Sequence, residues 1–60
     1  MRAPLPADTL ARLRAQTRER GPAPVAAAAG VSPRTLYRAI AGASLCDVTR
    51  HTLAQVALAA

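Results

Sequence analysis

The chain has 60 residues, a formal net charge of +5 and a single cysteine. A domain this small buries only about 60% of the surface its unfolded chain exposes, and with one cysteine and one histidine it has neither an internal disulfide nor zinc-ligand spacing to staple it. The 52% hydrophobic content is largely alanine and includes no Phe or Trp, which argues against a sheet, and all 8 cations are arginine, which points to an anionic partner.

Residues 1–7 contain Pro4 and Pro6, which turn their own and the preceding residues away from helix. This stretch is expected to be a flexible N-terminal arm, followed by one domain over residues 8–60. Asp8 is the expected N-cap of a first helix over Thr9 to Arg20, with Leu10, Leu13 and Thr17 on one face. Gly21 and Pro22 end it. Pro24 suits the first turn of a second helix, which runs through Val25 and four alanines to Gly30. After Val31, Ser32 caps a third helix that begins at Pro33 and reaches about Ala41, where Gly42 closes it. Asp47 is the expected cap of a fourth helix, with Val48, Leu53, Val56 and Ala57 as its apolar stripe. The expected fold class is therefore all-α, with four short helices. No run approaches the roughly 18 apolar residues of a membrane span. Residues 1–6 lack the apolar core of a signal peptide, so the chain is expected to be soluble and cytoplasmic.

The stretch from Val25 to Ile40 meets the demands of two helices crossing at a sharp turn. Ala26 is small where the helices approach. Gly30 supplies a left-handed backbone position, and Val31 and Leu36 fill the angle between the helices. Val25 and Ile40 close the apolar wedge, and Ser32 satisfies a free N–H. On these residues the chain resembles helix-turn-helix transcriptional regulators of the lambda-repressor-like type, and is also similar to the headpiece of the lac-repressor family. The resemblance covers residues 22–42. It extends more loosely through Leu45, Thr49-Arg50 and Leu53. It implies a recognition helix from Pro33 that lays its N-terminal outward face in the major groove of double-stranded DNA.

Arg34 and Arg38 lie four apart and share a face. The resemblance makes them the base-reading pair, and arginine to guanine is the commonest specific contact. As plain surface residues they are merely solvated charges. Tyr37 is expected to bond a phosphate or pack against a thymine methyl, or else to cover Ile40 and the fourth helix. Ser32 and Thr35 suit phosphate oxygens at the helix start, with Ser32 first of all a cap. Pro33 touches bases or sugars by position. Arg50 is the phosphate contact that the resemblance favours beyond the motif. Arg12, Arg14, Arg18 and Arg20 individually read better as a solvated face, and Arg2 as part of the arm. Cys46 reads as a small buried or half-buried residue, and His51 as a surface histidine.

Asp8, Glu19 and Asp47 are too dispersed for a catalytic pair. The chain is expected to be no enzyme and to need no metal or cofactor. The resulting expectation is a small transcriptional regulator of phage or plasmid type, binding a palindromic site as a homodimer through its C-terminal helix. The alternatives are an accessory factor or fragment of a recombinase or transposase, and an antitoxin-like protein-interaction module.

Overall fold

A computed structural model describes residues 1–59. The residue at position 60, the last of the expected domain, lies outside the described residues. Four helices form: α1 (Ala7–Arg20), α2 (Pro22–Ala29), α3 (Pro33–Ile40) and α4 (Asp47–Leu58). The all-α expectation holds.

α1 begins two residues earlier than expected. Pro6 stands at its N-cap without any capping side chain, and Asp8 lies in the first turn. There its carboxylate meets the positive end of the helix dipole instead of capping it. Gly21 ends α1 with φ 87° and ψ 160°. α2 follows at once and starts at Pro22, not Pro24. Both prolines fit because the first amides of a helix have no internal acceptor.

α2 and α3 are joined by Gly30, Val31 and Ser32 alone. Gly30 adopts the left-handed conformation at φ 69°. Its N–H bonds the Ala27 carbonyl at 3.1 Å, and the Val31 N–H reaches back to Ala26 at 3.0 Å. These paired bonds are those of a Schellman turn. The same pairing closes α3, with Gly42 N–H to Ala39 and Ala43 N–H to Arg38, both at 3.0 Å. Ser32 caps α3 as expected, its Oγ accepting the Thr35 N–H at 3.2 Å.

Each helix supplies one of the largest fully buried side chains: Leu13, Val25, Leu36 and Leu53. Ala26, Ala29 and Ala39 pack between them and Leu10, Val31, Ile40 and Val56 cover the edges. On α4, Leu53 and Ala57 are buried as expected, but Val48 is 73% exposed. At about 100° per residue, Val48 lies roughly 140° round the helix from Leu53, too far to share its face.

The N-terminal segment is not a free arm. Ala3 and Leu45 form an isolated antiparallel bridge, N–H to carbonyl at 3.0 Å one way and 2.9 Å the other. Leu5 and Leu45 are both buried in the core cluster. The prolines exclude helix here, as expected, but an extended segment can still pair its backbone and bury a leucine. Among the described residues this bridge is the sole β pairing, and no helix is long and apolar enough to cross a membrane.

Candidate nucleic-acid interface

α3 is strongly two-sided. Leu36 and Ala39 are buried, while Pro33, Arg34, Tyr37 and Arg38 are exposed. Counting 100° per residue, Arg34, Tyr37 and Arg38 all project away from Leu36 within one broad outward face. Two rigid supports hold that helix in place. Its N-terminus is capped by Ser32. At its other end Arg14 Nη2 donates to the Ile40 carbonyl at 2.7 Å. A cation at the negative end of a helix is stabilising. Arg14 is thus a helix anchor, a role that nothing in its local sequence announces.

Tyr37 is 56% exposed. It stands beside Arg14, Arg18, Pro22 and Ile40 in a shallow groove between α1 and α3. The expected cover over Ile40 is present, but the groove's lining includes no α4 residue. Arg14 and Arg18 line the same groove, which suits contact with an anion.

Ser32 Oγ and Thr35 Oγ1 lie 3.0 Å apart and share a hydrogen bond. Thr35 is half-buried and lines a second concavity, this one shared with Arg38 of α3, Arg2, Ser44, and Cys46 and Thr49 at the start of α4. The structure therefore brings Ser32, Pro33, Arg34, Thr35, Tyr37 and Arg38 together on or beside one helix face.

Arg50 is the exception. Its guanidinium is paired with the Asp47 carboxylate and also donates to the Met1 carbonyl at 3.1 Å. It ties the N-terminal segment to α4 and is only half-exposed. The local reason is the three-residue spacing of Asp47 and Arg50, which brings the two side chains together on one helix face. Asp47, expected as the cap of α4, is instead its first residue, and Cys46 holds the cap position.

Cys46 is exposed, against the expectation of burial. Its Sγ lies 3.2 Å from Thr49 Oγ1. That hydrogen bond, then the Thr49 backbone amide, pulls the thiol below its ordinary pKa, with smaller contributions from the Arg2 charge and the Val48 amide. His51 is exposed, as expected. No group of three or more metal-ligating side chains occurs among the described residues.

Comparison of the chain with protein-family models, with curated proteins and with solved structures finds no match.

Proposed function

We propose that the protein binds double-stranded DNA sequence-specifically, with α2 and α3 acting as a helix-turn-helix and α3 as its recognition helix. The observation that carries this reading is the outward face of α3. Arg34, Tyr37 and Arg38 stand exposed on a short helix whose opposite side is locked into the core by Leu36 and Ala39. Eight residues of helix are about 12 Å long at ~1.5 Å per residue, comparable to the roughly 12 Å width of the major groove. The all-arginine charge of +5 favours the same partner.

In this reading Arg34 and Arg38 read guanine edges, while Tyr37, Ser32 and Thr35 contact phosphates and Pro33 packs at the groove wall. Arg50 supports the interface from behind. The protein acts as a small transcriptional regulator that blocks a promoter sterically, in the cytoplasm at the nucleoid. Two copies occupy a palindromic site by pairing through α4.

The test is selection of bound sites from random duplex DNA, followed by titration of single variants. Arg34→Ala and Arg38→Ala each weaken binding to the selected site by about 1–3 kcal/mol, and each relaxes preference at a particular base pair. If both variants bind the selected site like the parent, α3 is not the reading helix.

A further inference from the structure

A concavity lies between α3 and the start of α4. Its volume is about 160 Å³, room for several water molecules at ~30 Å³ each or for one tetrahedral anion with part of its hydration. Arg2 and Arg38 line it, with Thr35, Ser44 and Thr49 among the other lining residues. No carboxylate lines it. Asp47, the acid nearest in sequence, lines a separate concavity with Arg50 and His51.

The three segments that meet here are each held in place. Thr35 and Arg38 ride on α3. Ser44 precedes Leu45, whose backbone is paired with Ala3. Arg2 is the neighbour of Ala3 and is kept at the cleft by that same bridge, while Leu5 beyond it is buried in the core. The first-turn amides of α4 lie alongside, with those of Thr49 and Val48 directed at the Cys46 thiol. A cleft bordered by two arginines and lined by three hydroxyl-bearing residues favours an anion with several acceptor oxygens. The thiol of Cys46, which lines the same cleft, is held below its ordinary pKa by these same groups, the Thr49 hydroxyl and amide first and the Arg2 charge after them.

The geometry points to a phosphate subsite in this cleft, in which Arg2 holds one backbone phosphodiester of bound DNA, Thr35, Ser44 and Thr49 donate to its oxygens, and Arg38 borders the site while its guanidinium reads a base. For its natural ligand this inference rests on the DNA-binding reading above. It adds that the N-terminal segment is part of the binding surface, held there by the Ala3–Leu45 bridge, and that Arg2 is a fixed clamp.

Two measurements test it. The first needs no DNA. Inorganic phosphate is titrated into the labelled protein, with chloride at matched ionic strength as control, and backbone amide shifts are followed by NMR. Saturable shifts at Thr35, Ser44 and Thr49 with phosphate alone are expected, and Arg2→Ala abolishes them while leaving the helical circular dichroism unchanged. Identical shifts in chloride, or none at these residues, overturn the subsite. The second is the salt dependence of duplex binding. Each phosphate contact contributes about 0.9 to the slope of log K against log salt. Arg2→Ala is expected to lower the slope by about that amount and to weaken selected and scrambled duplexes several-fold alike, and Arg2→Lys to keep the parental slope. A parental slope in Arg2→Ala overturns the assignment. Failure of the parent to bind any duplex, with the phosphate shifts present, sinks the DNA reading and leaves a free phosphate group as the ligand.

Discussion

Gly21 and Gly30 both have positive φ, but they occupy different regions of backbone space. Gly30, at φ 69° and ψ 29°, is in the left-handed helical region, which asparagine tolerates and β-branched residues do not. Gly21, at φ 87° and ψ 160°, is in a region open essentially to glycine alone. Space is not the issue at either position. A Cβ on Gly30 meets nothing within 4 Å, and one on Gly21 meets only Pro24 Cδ at 4.0 Å. Backbone strain therefore decides the cost. Gly30→Val is expected to cost about 1–2 kcal/mol, and Gly30→Asn clearly less. Gly21→Asn costs about 1–3 kcal/mol because asparagine gains no relief there. Since 1 kcal/mol moves the Tm of so small a domain by roughly 4–8 °C, thermal melts separate Gly30→Asn from the other two variants. Equal Tm values for Gly21→Asn and Gly30→Asn would show that the two turns do not differ in this way.

Gln16 joins α1 to α4. It is 4% exposed, and its Nε2 donates to the carbonyls of Val56 at 3.0 Å and Ala57 at 3.1 Å. These belong to the last turn of α4, where the Val56 carbonyl also accepts the Ala59 N–H at 3.2 Å. Gln16→Glu removes the donor and leaves a buried carboxylate facing two carbonyl oxygens. Gln16→Leu keeps the bulk but removes the side-chain donor from those oxygens, at about 1–3 kcal/mol. The expected order of stability is parent, then Leu, then Glu, with hydrogen exchange in the last turn of α4 accelerated in both variants. A Gln16→Glu protein as stable as the parent at neutral pH would exclude the capping role. This contact also shows where reading from sequence stops. The four helices, the Gly30 turn and the Ser32 cap were readable because glycine, proline and serine act on their own backbone. The outward face of α3 was readable because periodicity is local. Gln16, Arg14 and Arg50 bond carbonyls 26 to 49 positions away, and no local pattern marks such partners. The Ala3–Leu45 bridge escaped notice for the same reason, since one paired residue on each side leaves no alternating stretch to detect. Val48 departs from the expected stripe for a different reason, a helical angle that does not match that of Leu53.

Pairing of two molecules depends on a surface that none of the four helices covers. Val48, His51, Gln55 and Leu58 are all exposed on α4, with Val48 at 73% and Leu58 at 65%. Their spacing of three, four and three residues is that of a seam along a helix packed against another helix. No arginine interrupts it, although the chain carries a net charge of +5. Val48 and Leu58 are ten positions apart, about 15 Å along the helix. In an antiparallel pair related by a two-fold axis, each therefore meets the other's counterpart, with His51 opposite Gln55 at the centre. Two joined headpieces gain affinity for a two-part site that one such headpiece lacks. A single exposed leucine near a helix end needs no partner. The seam spacing together with Val48 is what favours pairing. Sedimentation of the parent is expected to show a monomer–dimer equilibrium in the micromolar range. Leu58→Glu and Val48→Glu each shift it to monomer, because an antiparallel seam buries both ends equally. Both variants keep parental helicity, since neither side chain reaches the core. On DNA, each variant still binds an isolated half-site but loses the added affinity for the palindrome. A parent that stays monomeric at high micromolar concentration, and binds half-site and palindrome with equal affinity, excludes pairing through α4. Loss of the dimer in Leu58→Glu alone rules out the antiparallel arrangement and leaves a contact confined to the C-terminal turn.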